Sequence, residues 1–181
     1  MTTHIEPNNE STAGAPFDIT RFTRAPLRMK GTFHFDITPE ELWPRVTAPD
    51  LIASWFPTMT GGEIDHSDSS TPGDWGEGTK RYCHARGMGT LDETLLHWDP
   101  PKTYVYRVVN RMMPIRDHAA VMRLEPDPDG GSRFTWAQYF EPSNRVTIGP
   151  FKLMMTTMMN KGLRSLVRQL GGRGGKIRVV G

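Results

Sequence analysis

Six histidines, one cysteine and a scatter of tyrosines and arginines are the groups in this 181-residue chain with which chemistry could be done. None of His4, His34, His66, His84, His97 and His118 stands at a recognised ligand spacing from another histidine, the cysteine or a carboxylate, so no metal is expected. Cys83 has no activating motif beside it and reads as a small strand side chain. There is no Ser-His-Asp signature and no Gly-x-Ser-x-Gly elbow. GDWGEGTK, from Gly73 to Lys80, has the glycines of a phosphate loop, but it feeds a strand, reverses the Lys-Ser/Thr order and carries Asp74 and Glu77, which repel anions. Nucleotide binding is rejected there, and no cofactor is expected. What remains is proton transfer. His118 shares parity with Ala120, Met122 and Leu124, so it could point inward from its strand. Tyr82 and His84 share one face of another strand, and Tyr104 and Tyr106 one face of a third. Arg86 and Arg107 could steady a negatively charged oxygen. Each also reads as a hydrogen-bonded strand side chain or an exposed cross-strand pair, and a one-residue slip would invert its facing.

These residues need strands to hold them. LRMKGTFHFDI, from Leu27 to Ile37, alternates with Met29, Phe33 and Phe35 on one parity and predicts the first strand. Thr38, followed by Pro39 and Glu41, spells an N-cap, a proline at the first helical position and a capping-box glutamate. A short helix follows through Trp43 and Val46, and Ala48-Pro49-Asp50 starts a second, ended by Pro57. After a weak strand near residues 62–65 and a turn-rich loop come Thr79–Arg86, Thr90–Trp98, Thr103–Asn110, His118–Glu125 and Ser132–Phe140 as strands joined by short turns. Short turns imply antiparallel neighbours. In the last of these strands Phe134, Trp136, Gln138 and Phe140 share a face taken as concave, which leaves the Gln138 amide in need of a partner, a water or a ligand.

FKLMMTTMMNKGLRSLVRQL, from Phe151 to Leu170, is the one long helix-forming segment. At helical spacing Phe151, Met155, Met158, Met159, Gly162, Leu166 and Leu170 fall on one face, with Thr157, Asn160, Lys161, Arg164 and Arg168 opposite. A face rich in methionine can cover a sheet, and it can also repack as the wall of an adaptable cavity.

Composition bounds the rest. The length suits one domain, and no apolar run approaches membrane-spanning length. The single cysteine excludes an internal disulfide framework and suits a reducing compartment, so a cytoplasmic location is expected. The first 141 residues carry 14 basic and 20 acidic side chains, whereas the last forty carry eight basic and no acidic ones. That asymmetry fits a solvated helix face and a flexible basic tail over residues 171–181, or weak attraction to an acidic partner. The tail lacks interleaved aromatics, so nucleic acid is not an expected partner. Residues 1–25 read as a disordered lead-in and 26–170 as the folded domain.

Three stretches, DITPEELWPRVTAPDLIASWFP, HWDPPKTYVYRV and GSRFTWAQYF, together with the order of elements, resemble the START-like, polyketide cyclase/dehydrase superfamily over roughly residues 27–170. The resemblance implies an α+β helix-grip fold, with a curved antiparallel sheet of about seven strands gripping the long C-terminal helix. It further implies a hydrophobic cavity between the two, walled by Trp55, Tyr106, Met122, Trp136, Gln138, Phe140, Met155, Met158 and Met159. Met88, Met112, Met113 and Pro114, on two hairpin loops, would flank its entrance. The expected ligand is a hydrophobic small molecule or lipid. A cyclase/dehydrase using His118, Tyr82 and His84 in aldol cyclisation or dehydration is the alternative, and an interaction module presenting a basic helix face is another. Shared fold does not choose among them, nor between monomer and dimer.

Overall fold

Eight strands form one antiparallel sheet in a computed structural model that describes residues 17–180. The strands are β1 (Leu27–Phe35), β2 (Met59–Asp65), β3 (Lys80–Ala85), β4 (Gly89–Asp99), β5 (Thr103–Val109), β6 (Ile115–Pro126), β7 (Ser132–Pro142) and β8 (Gly174–Val179). Their order across the sheet is β2-β3-β4-β5-β6-β7-β1-β8. Three helices, α1 (Pro39–Thr47), α2 (Pro49–Ala53) and α3 (Ile148–Leu170), complete the α+β helix-grip arrangement. Register shifts in the β1–β7, β2–β3, β4–β5 and β6–β7 ladders mark bulges, which bend strands.

The local signals act as their chemistry dictates. The Thr38 hydroxyl accepts from the Glu41 N–H at 3.3 Å, and the Glu41 carboxylate accepts from the Thr38 N–H at 2.9 Å, closing the capping box of α1. Beyond α2, Trp55 and Phe56 turn inward, and Gly162 lets α3 settle on them: a Cβ at that position would stand 3.1 Å from the Phe56 ring and 3.2 Å from the Trp55 ring. The main core lies between the helices and the inner face of the sheet, with Phe33, Phe35, Leu42, Tyr104, Phe134, Met159 and Leu163 among its buried members.

Two terminal assignments need correction. Residues 171–181 do not behave as a flexible tail over their described length, because β8 pairs with β1 and adds the eighth strand. Asn160, placed by periodicity on the solvent side of α3, is buried and explains this. Its amide donates to the Ile177 carbonyl at 2.9 Å and accepts from the Ile177 N–H at 2.8 Å, satisfying backbone groups that an edge strand would otherwise leave open. The buried stripe of α3 therefore takes in Thr156, Asn160 and Leu163. Gly31 allows the close approach on the other side, where a Cβ would lie 2.4 Å from the Lys176 carbonyl oxygen. Arg173, at the entry to β8, donates to Asp127 at 2.8 Å and to Asp129 at 2.5 Å in the β6–β7 turn.

The lead-in is likewise ordered from residue 17; residues 1–16 lie outside the described part. Phe17, Ile19 and Phe22 pack on a second cluster formed by Val105, Ala119 and Val121, on the face of the sheet away from α3. Covering those apolar side chains is what holds this segment.

Candidate functional site: an apolar cavity beneath the terminal helix

The final carbonyls of α1 organise the site. With no following helical turn, they need donors from elsewhere. Trp55 Nε1 donates to the Arg45 carbonyl at 2.8 Å, the Tyr104 hydroxyl to that of Val46 at 2.7 Å, and Arg81 to that of Thr47 at 2.6 Å. Arg81 is 1% exposed, and its other terminal nitrogen donates to Glu93 at 2.5 Å. The two residues are direct cross-strand partners on β3 and β4. The guanidinium also stacks on the rings of Tyr104 and Tyr106, 5.4 and 5.1 Å from their centroids. A charge pair is thus embedded in an aromatic wall at the negative end of a helix.

Beside it lies a cavity of about 70 Å³. Ile52, Trp55 and Phe56, in and just after α2, line it together with Tyr106, Met122 and Trp136 from the sheet and Met155 and Met158 from α3. Met88, in the β3–β4 turn, and Met113, in the β5–β6 loop, reach it from the rim. Asn110 joins these two loops, its amide donating to the carbonyls of Met88 and Thr90 at 2.9 and 2.8 Å. The segment before α3 is tied to the same rim, Ser143 N–H donating to the Pro114 carbonyl at 2.9 Å.

His118 occupies a bulge. The β6–β7 register slips between Arg116 and Ala119, and Asp117 takes a left-handed conformation (φ 47°). The carbonyl of Asp117 accepts from the Thr23 hydroxyl at 3.0 Å, so the ordered lead-in braces the bulge. The β5–β6 ladder runs only from Thr103 to Tyr106 on β5. Past it, the Val108 N–H donates to His118 Nδ1 at 3.0 Å, and the imidazole substitutes for the missing strand partner. Since Nδ1 accepts, Nε2 carries the hydrogen and donates to the Gln138 side-chain oxygen at 2.7 Å. Burial, aided by the charge of Arg107, lowers its pKa to about 4, against the upward pull of the Gln138 bond. The ring is therefore neutral at physiological pH, with both nitrogens engaged.

No other shifted group inside the cavity titrates near neutrality. Burial pushes the Cys83 thiol far up, reinforced by Glu93. It does the same to the phenols of Tyr104 and Tyr106.

Of the residues expected from the sequence, Trp55, Tyr106, His118, Met122, Trp136, Gln138, Met155 and Met158 line this cavity, together with Met88 and Met113 at the rim. Phe140 and Met159 do not; both are buried in the main core, Phe140 edge-on to Phe151 at 6.3 Å. Met112 is 65% exposed, and Pro114 serves the rim through its backbone. Tyr82 and His84 are not at the site. On β3 it is Arg81, Cys83 and Ala85 that face inward, while His84 is exposed and lies 3.3 Å from the Thr90 hydroxyl. The candidate roles of Tyr82 and His84 needed their shared face to turn inward, and the buried pair of Arg81 with Glu93 turns the other face of β3 there. Arg81, Glu93, Cys83 and Thr58 were missed. A hairpin closing at Gly87 sets Arg81 opposite Glu93, and that register was the available signal. Among the described residues no three histidine, cysteine or carboxylate side chains are grouped to hold a metal, and no helix is long and apolar enough to cross a membrane.

Residues 26–171 match the family described as polyketide cyclase / dehydrase and lipid transport. The chain belongs to that family. It is 26% identical over 152 residues to the uncharacterized protein Rv2574 of Mycobacterium tuberculosis, covering 82% of this chain and 87% of that one. A Mycobacterium bovis protein, Mb2604, aligns with the same identity and coverage. Among solved structures, the XoxI protein of Bacillus cereus superposes with a TM-score of 0.65 at 15% identity, over 80% of this chain and 96% of that one. A Thermobifida fusca protein does so with a TM-score of 0.63 at 20% identity, over 78% of this chain and 91% of that one. At such identities the superpositions establish a shared fold.

Proposed function

We propose that this protein binds a small, mainly apolar molecule in the cavity beneath α3. The observation that carries the reading is the cavity itself, with Met155 and Met158 on its helix side and Met88 and Met113 at its rim. A core that needed only to be packed would fill such a space, because each void forfeits dispersion contacts. About 70 Å³ corresponds to roughly five water-sized spheres. A single-ring compound enters with small shifts of the methionines, and a larger one by their wider rearrangement, for which thioether side chains are suited.

Binding fits the site better than proton-transfer catalysis. A general acid or base works best with a pKa near the operating pH. His118 lies well below that range, and its ring is committed to Val108 and Gln138. The test is native mass spectrometry of protein purified from its own host, with solvent extraction of any retained molecule, alongside thermal shift with single-ring apolar compounds. A retained apolar molecule or a dose-dependent rise in Tm is expected. Met158→Trp, which fills the space, should abolish both while leaving the protein folded. An interior that retains nothing and responds to no compound would defeat the proposal.

A further inference from the structure

Four buried side-chain polar atoms have no hydrogen-bond partner among the described residues: Thr58 Oγ1, Arg81 Nε, Ser132 Oγ and Trp136 Nε1. Three of them belong to residues lining the cavity. Buried polar groups are rarely left open, and a cluster of them around one space indicates what that space is built to receive. Arg81 is 1% and Trp136 6% exposed, so bulk water does not serve them. The Arg81 guanidinium stacks on the Tyr106 ring, and Tyr106 and Trp136 line the same space.

The unused groups share a chemical sign. Guanidinium and indole N–H groups only donate, and the Thr58 hydroxyl can donate. Two of the cavity's acceptors are already engaged, a Glu93 oxygen by Arg81 and the Gln138 oxygen by His118. What these three groups lack is a partner that accepts. Its charge is balanced, since Arg81 is matched by Glu93 and no second cation lines the space. An anion would give up its hydration and find the guanidinium already paired.

We propose that the ligand is a neutral apolar molecule bearing a carbonyl-type oxygen, which accepts from the free donors of Trp136, Arg81 and Thr58, and that Glu93 sets the preference against carboxylates. This rests on the cavity being a ligand site and adds the chemistry of the ligand. Plain hydrocarbons leave the donors open; carboxylic acids arrive with a charge that Glu93 repels.

Three probes of nearly one shape separate the possibilities: acetophenone, α-methylstyrene and benzoate, titrated calorimetrically into the full chain at pH 7.5. Acetophenone should bind about tenfold or more tightly than α-methylstyrene, as expected of a buried hydrogen bond, and benzoate should be the weakest. Trp136→Phe removes one donor and enlarges the space for ketone and alkene alike. It should shrink the ketone's advantage over α-methylstyrene to about twofold or less, a ratio in which the altered cavity shape met by both probes largely cancels. Thr58→Val checks the same direction should Trp136→Phe fail to fold. In folded Glu93→Gln, benzoate should gain on the ketone. Equal binding of ketone and alkene by the natural protein, or tightest binding of benzoate, overturns this inference and leaves the cavity reading standing. If none of the three binds and the extraction is also empty, both fall together.

Discussion

Replacing Glu93 by Gln isolates the energetic role of the charge pair in the cavity wall. Arg81 and Glu93 meet at 2.5 Å with side chains 1% and 9% exposed, so solvent screening contributes little. Removing one partner of a buried pair leaves an uncompensated charge and costs roughly 3–5 kcal/mol. Arg81 keeps its bond to the Thr47 carbonyl and its stacking on Tyr104 and Tyr106, which places the expected loss at the lower end, about 3 kcal/mol. With a urea m-value of about 2 kcal/mol/M, the unfolding midpoint should fall by about 1.5 M. The double variant Arg81→Met, Glu93→Leu removes both charges and should return to within about 1 kcal/mol of the natural protein, or exceed it. Equilibrium urea unfolding followed by tryptophan fluorescence measures all three. A loss under about 1 kcal/mol for Glu93→Gln, or a double variant as unstable as the single, would refute the reasoning. Either result would mean that water reaches the guanidinium and that the wall is not the dry donor surface described above.

Asn160→Ala removes both hydrogen bonds to Ile177 and leaves that residue's N–H and carbonyl buried without partners, a loss of about 2–4 kcal/mol. Hydrogen exchange should show the Ile177 amide deprotected well before the amides of β6 and β7. Gly31→Val forces a side chain against the Lys176 carbonyl, so β8 should detach and a protease cutting after basic residues should trim it at Lys176 or Arg178. The buried His118 adds a pH dependence whose sign follows from its depressed pKa. Between about 4 and the ordinary value of 6.5 the unfolded chain binds a proton that the folded chain excludes. Stability is therefore unaffected above pH 6.5, falls as the pH drops through that window and levels off below it, by about 3 kcal/mol in all. His118→Asn should lack this component when its urea midpoints are compared with those of the natural protein at pH 7 and pH 4.5. Parallel pH curves for the two would contradict the assignment.

Local chemistry made much of this molecule legible in its sequence. The capping box at Thr38, the prolines that start α1 and α2, the β-branched run at Thr103 and the turn residues between strands act over a few positions, so they name the elements directly. Parity then grouped His118 with Met122 and Trp136 with Gln138, and helical spacing grouped Met155 with Met158, while the cavity those faces would line came from the family resemblance. The facing of β3 depends on a partner. Only the hairpin register, which brings Arg81 against Glu93, decides that Cys83 rather than Tyr82 turns inward. The fate of the basic terminal segment also lay beyond sequence periodicity. Its strand signal is confined to Ile177, Val179 and Val180 beside glycines and charges, and order comes from Asn160 and β1, which are distant in the chain. The free donors around Tyr106 are likewise a property of packing. A sequence records which side chains can donate, but only the folded arrangement determines which of them are left without an acceptor.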